Sequence, residues 1–107
     1  MPTIEEVLKR GPQPRALGIC WFRKEDYPAL KRMFTDSDKM HDTWEEWLEQ
    51  AERMERSAKT QVDIVERVYI DPATFPDWCA SHGTTIDRQG RNAFVAFTTA
   101  EKYGGTH

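Results

Sequence analysis

The feature that most constrains how this chain can fold is an echo of itself at a spacing of 48 residues. Phe22-Arg23-Lys24-Glu25-Asp26-Tyr27-Pro28-Ala29-Leu30 aligns with Ile70-Asp71-Pro72-Ala73-Thr74-Phe75-Pro76-Asp77-Trp78. Each copy leads from the end of an apolar, strand-like stretch into a helix that carries an aromatic, a proline and then a large apolar residue. A second helical pattern follows each one. A fixed period of this length is the mark of a repeated supersecondary unit. The order reads strand–helix–helix, strand–helix–helix.

Local chemistry supports that order. Ala16-Leu17-Gly18-Ile19-Cys20-Trp21-Phe22 is short and apolar on both faces, as a buried strand requires. From Glu25 to Phe34, Tyr27, Leu30, Met33 and Phe34 share one side of a helix, with Pro28 tolerated in its first turn. Thr35 to Asp42 is a polar loop. The segment 43–60 is the clearest helix: Trp44, Trp47, Leu48, Ala51, Met54 and Ala58 follow the 3.6-residue period, and Asp42 or Thr43 is placed to cap it.

Val62 to Asp71 alternates as a strand does, with Val62, Ile64, Val68 and Ile70 on one side, interrupted by Glu66. Asp71-Pro72 is expected to supply an N-cap and first helical residue, and Gly83 to end that helix. A final helix from Asp87 to Tyr103 is expected to bury Ala93, Phe94, Ala96, Phe97 and Ala100. A helical crossover of about forty residues favours parallel pairing of the two strands. The fold class is therefore α/β and mostly helical: a small two-stranded sheet covered by four helices, with a strand–helix–helix unit used twice. Two strands make a poor sheet alone. We expect it to be enlarged by the N-terminal arm or by a second copy of the chain across an edge.

Residues 1–15 read as that arm, with a short helical pattern from Ile4 to Arg10 and a break at Gly11-Pro12-Gln13-Pro14. Residues 16–107 read as a single globular domain, since 107 residues is near the commonest domain size. Four Trp, five Phe and three Tyr are too many for a disordered chain. No apolar run is long enough to span a bilayer, and the N-terminus lacks the basic-then-apolar build of a secretory signal. Two cysteines, Cys20 and Cys79, make no disulfide framework, so a cytoplasmic setting is the simplest expectation.

Chemistry is sparsely marked. The strongest candidate for a ligand site is the strand ends, where Arg23, Lys24 and Asp26 would lie near Asp71, because open α/β sheets tend to bind ligands there. The competing structural reading has Asp71 capping its helix, Asp26 neutralising a helix start and Arg23 pairing with Asp71. The loop Asp36-Ser37-Asp38-Lys39-Met40-His41-Asp42 has acidic residues and a histidine, but it lacks the ligand spacing of a calcium loop and Lys39 would repel a cation. Cys79 and His82 lie three apart with no second ligand pair, so no metal and no cofactor is expected. No nucleophile elbow, phosphate-binding glycine loop or catalytic residue set is evident. Trp21, Trp44, Trp47 and Trp78 are chiefly core candidates, and any surface they leave open would serve as an interface anchor.

Cys20-Trp21-Phe22-Arg23-Lys24-Glu25-Asp26-Tyr27, Thr43-Trp44-Glu45-Glu46-Trp47-Leu48 and Tyr69-Ile70-Asp71-Pro72-Ala73-Thr74-Phe75-Pro76-Asp77-Trp78-Cys79 resemble stretches of small bacterial proteins of unknown function. That resemblance spans about residues 16–103. It implies a bacterial source and brings no activity, cofactor or catalytic residue with it.

The leading functional expectation is a non-catalytic protein–protein interaction or regulatory module, partnered by a second copy of itself or by another protein. The alternative is a small-ligand-binding domain or small enzyme using Arg23, Lys24, Asp26 and Asp71. A weak nucleic-acid binder using Arg10, Arg15, Arg23, Lys24, Lys31 and Arg32 comes third. Net charge is −3 and the basic residues are dispersed, whereas phosphate-backbone affinity needs concentrated positive charge.

Overall fold

A computed structural model describes residues 15–103. Strand β1 (Ala16–Trp21) leads through a 3-10 turn (Lys24–Asp26) into helix α1 (Tyr27–Met33). A second 3-10 turn (Ser37–Lys39) precedes the long helix α2 (Trp44–Lys59). Strand β2 (Ile64–Tyr69), helix α3 (Phe75–Ser81) and helix α4 (Arg88–Tyr103) complete the chain. The arm before residue 15, with its expected helix, lies outside the described residues.

The strands pair in parallel, and every partner is 48 residues away, from Ala16 with Ile64 to Trp21 with Tyr69. The period of the sequence echo is therefore also the register of the sheet. It extends into the first helix of each unit, since α1 and α3 begin and end at positions 48 apart. It fails at the second helix, where α2 and α4 are offset by 44 at both ends.

Side chains alternate across the sheet, so each face receives one long helix. Ile19 and Trp21 point to α2 and form a cluster with Ala51, against which Trp47, Leu48, Ala58 and Val65 pack. On the other face α4 crosses Gly18 so closely that a Cβ there would sit 2.8 Å from Val95 Cγ1. The main core lies beyond the strand ends. Phe22 and Ile70 meet Tyr27, Leu30, Phe34, Phe75 and Cys79 there, so the two echoed aromatic-Pro helices bury their apolar sides against each other's units.

Three local expectations are corrected. Asp71 does not cap α3: its Oδ1 accepts from the Ala73 N–H at 2.9 Å in a turn, and the helix starts later, at Phe75, with Thr74 as N-cap. Arg23 does not pair with Asp71. Its guanidinium instead lies 5.1 Å from the centroid of the Tyr69 ring. In α4, Ala93, Ala96 and Phe97 are exposed, and the inward residues are Gly90 with half-buried Phe94, Val95, Thr98 and Thr99. Glycine lets the helix approach at its first turn, where a Cβ on Gly90 would meet the Thr85 carbonyl at 1.9 Å. The expected stripe is split: Phe94 packs on the core beside Phe75 and Trp78, Phe97 only edges Trp78 and His82, and Ala93 and Ala96 are exposed. Of the two caps expected for α2, Asp42 or Thr43, the helix uses Thr43. Thr43 caps α2 in a reciprocal box with Glu46, and Gly83 ends α3 at φ 65°.

Candidate functional site

The strand ends carry little free chemistry. Lys24 Nζ is 3.0 Å from Glu45 Oε2 and lies over the Trp44 ring. Asp26 is the N-cap of α1 without a side-chain bond to it. Asp71 is engaged in its turn. The structure thus brings Arg23, Lys24, Asp26 and Asp71 to one end of the sheet, but as separate local contacts. The tryptophans are mostly interior. Trp21 is 3% exposed, Trp47 bridges both clusters, and Trp44 donates its indole N–H to the Phe22 carbonyl at 2.9 Å. Trp78 is half-buried and stacks on Phe75 and His82.

Of the basic residues proposed for nucleic acid, Arg10 lies outside the described residues, Arg32 has no ion pair among them, and others are engaged locally. The Arg15 guanidinium donates to the Gln61 carbonyl, and Lys31 lies 3.8 Å from Asp42. His82 stacks 4.1 Å from Trp78 while Cys79 is buried, and among the described residues no three metal-binding side chains gather.

The principal concavity lies elsewhere, along the free edge of β1. The Arg15 carbonyl accepts from Ile64 N–H and the Trp21 carbonyl from Ile70 N–H. With the strand period of two, residues 15, 17, 19 and 21 turn their main chain to β2, and Ala16, Gly18, Cys20 and Phe22 turn theirs outward. Trp44 takes the Phe22 carbonyl. Among the described residues, nothing pairs with the main chain of Ala16, Gly18 and Cys20.

This edge is the floor of a groove of about 1160 Å³. One wall is α2, through Trp47, Gln50, Ala51, Met54, Ser57 and Ala58. The other is α4, through Arg88, Arg91, Val95, Ala96, Thr99 and Tyr103. Leu17, Met54 and Tyr103 line it while remaining open to solvent, Met54 at 55%. The groove has a charged end near Cys20, formed by Asp36, Lys39, His41, Arg88 and Arg91. Asp36 there receives both Arg91 Nη atoms at 2.9 Å, whereas Lys39 and Arg88 have no ion pair among the described residues. Burial pushes the Cys20 thiol up to about 12, opposed by the Arg91 charge, so it is no nucleophile at neutral pH.

No protein-family model matches the chain, and neither a curated protein nor a solved structure matches it. No described helix is long and apolar enough to cross a membrane.

Residue patterns did not reveal this groove. Its walls come from α2 and α4, far apart in sequence, and its floor is unpaired backbone, which no side-chain motif marks.

Proposed function

We propose that the chain is a non-catalytic protein-interaction module that receives an extended segment of a partner protein as an added strand on β1. The observation that carries this reading is the run of outward main-chain groups at Ala16, Gly18 and Cys20, held at the bottom of a groove between two helices. Strand addition draws affinity from such main-chain bonds and specificity from the pockets beside them. An open edge left bare is a liability that folds normally cover or blunt.

The walls set the partner's chemistry. Met54, Ala96 and Thr99 suit small and apolar side chains. Lys39 and Arg88 favour an acidic residue at the Cys20 end. A single strand fits this groove better than a second copy joined edge to edge. Each copy carries the same two helical walls, so two concave edges would hold each other apart beyond the roughly 4.8 Å that strand pairing needs.

The test is selection of displayed random nine-residue peptides on the full chain, followed by binding to a Met54→Lys/Ala96→Arg variant. Both substituted positions are exposed walls, so the fold should persist, as circular dichroism would check. Expected are peptides that are apolar with an acidic end, whose affinity falls at least tenfold in the variant. Peptides indifferent to the variant, or no enrichment at all, would overturn the proposal.

A further inference from the structure

We infer that the partner's strand ends inside the groove: a protein's C-terminal tail runs parallel to β1, and its terminal carboxylate is held by Lys39 and Arg88. This rests on the groove reading above and names the part of the partner that is read.

The charge of the groove lies at one end. Its lining holds three permanent cations, Lys39, Arg88 and Arg91, and one carboxylate, Asp36, all at the Cys20 end. Asp36 is already matched by Arg91, whose two Nη atoms donate to it at 2.9 Å. Lys39 and Arg88 are exposed and have no ion pair among the described residues, so two positive charges stay unmatched here. The opposite end, at Ala16, Leu17, Ser57 and Gln61, carries no charged side chain in its lining.

The same end is shut. The segment from Asp36 to His41 ties one wall to the other, through Asp36 to Arg91 of α4 and through His41 Nε2 to Gln50 Oε1 of α2. The Tyr27 hydroxyl donates to the His41 carbonyl at 2.6 Å and fixes that segment. The β1 edge closes there too, because the Trp44 indole N–H takes the Phe22 carbonyl at 2.9 Å. A chain added along Ala16, Gly18 and Cys20 therefore finds no further main-chain partner beyond Cys20. Continuing would leave its next N–H and C=O groups unmet against the segment, whereas ending adds a single charged group.

A chain end is an ammonium or a carboxylate. The unmatched cations repel the first and attract the second, and the helical walls keep that contrast larger than open water would. The direction follows: the tail enters at the uncharged end and runs parallel to β1, as β2 does on the other edge. Capture of a terminal carboxylate and addition of a strand are both recurrent modes of peptide recognition. Six-residue β1 is about 20 Å long, so the tail is read over roughly its last six residues. Met40 and Trp47 line the groove beside the cations and suit an apolar final side chain.

The test uses the full chain and two displayed libraries of random nine-residue peptides, one with free C-termini and one joined to the display protein through its C-termini. The free-ended library should enrich at least about tenfold over the joined one. Its leading peptide is then made as the free acid and as the C-terminal amide, and fluorescence anisotropy reads both affinities. Amidation should weaken binding at least about tenfold, as loss of a charge-assisted bond does. Lys39→Gln/Arg88→Gln should weaken the acid to the same degree while leaving the amide within about twofold. Both positions are exposed, and circular dichroism checks that the variant folds. Equal affinity of acid and amide, equal losses of both in the variant, or equal enrichment of the joined library would overturn the inference. Each of those results leaves the groove as a site for internal segments. If neither library enriches, the groove reading falls as well.

Discussion

Gly18 and Thr99 are in closest approach where α4 crosses β1: a Cβ on Gly18 would stand 2.0 Å from Thr99 Oγ1. Val95 Cγ1 blocks the same space at 2.8 Å, so rotating one side chain is not enough to make room. Overpacking of this kind costs about 1–3 kcal/mol. Gly18→Ala should therefore lower the thermal midpoint. Thr99→Ala should recover part of the loss in the double variant, a non-additivity that a mutant cycle measures. Because α4 is a wall of the groove, the single variant should also weaken any selected peptide. An unchanged midpoint would mean that α4 sits farther from β1 than described.

Glu55 and Arg67 join α2 to β2 by two bonds, of 2.7 and 2.9 Å, beneath the face of Trp21, whose ring centroid lies 4.0 Å from the guanidinium carbon. The Glu55 side chain is 11% exposed, that of Arg67 40%. Arg67→Met should cost about 1–3 kcal/mol, because it strands a largely buried carboxylate. Adding Glu55→Leu should return most of that stability, since apolar replacement of a whole pair is often neutral. Chemical denaturation of the two variants reads both effects.

Cys20 lies in the groove with its thiol pushed up to about 12, first by burial. Cys79 is raised as well, by burial and then by the Asp87 carboxylate. Only the thiolate attacks a disulfide reagent. In the folded protein at pH 8 both cysteines should react at least a hundredfold more slowly than in denaturant. Prompt reaction of Cys20 would show that water reaches it freely.

Much of the scaffold was legible because its causes are local. The spacing of 48 residues is both the sequence echo and the strand register, and Thr43 with Glu46 spells a cap in four residues. What was misread depends on contacts between distant elements. The α4 residues Ala93, Ala96 and Phe97 are apolar at helical spacing, yet they stay exposed, Phe97 only edging Trp78 and His82, because Gly90 and Gly18 mark the side of α4 that comes close. Asp71-Pro72 has the composition of a helix start, but its carboxylate satisfies Ala73 in a turn first. Arg23 found an aromatic ring in place of an acid because Tyr69, its neighbour across the strand ends, offers a face.

Those exposed strand-end contacts should matter little to stability. Arg23 rests on a Tyr69 ring that is 41% exposed, and Lys24 pairs with a solvent-facing Glu45. Exposed pairs are worth about 0–1 kcal/mol. Arg23→Ala and Lys24→Ala should each shift stability by less than about 1 kcal/mol and leave groove peptides bound. Loss of peptide binding in either variant would return attention to the strand ends.

Asp36 gives the charged end of the groove a pH dependence. Its carboxylate receives two bonds from Arg91, whose guanidinium carbon lies 4.5 Å from the Phe34 ring centroid, and a third from the Arg88 backbone N–H at 3.2 Å. The Arg91 hydrogen bonds hold this carboxyl below the usual range, against the opposing effect of burial. A depressed folded-state value means the stabilisation is complete above the unfolded value, near 3.9 for Asp, and is lost as pH falls through the folded one. Asp36→Asn should therefore be less stable than the natural chain at pH 7. The gap should begin to narrow as pH drops below about 4 and close only once pH has passed the lower folded-state value, where Asp36 too carries an uncharged group opposite Arg91. Thermal midpoints of the two proteins between pH 2.5 and 7 give the answer. A gap that stays constant across that range would mean the carboxylate charge contributes nothing to holding the 3-10 turn against α4.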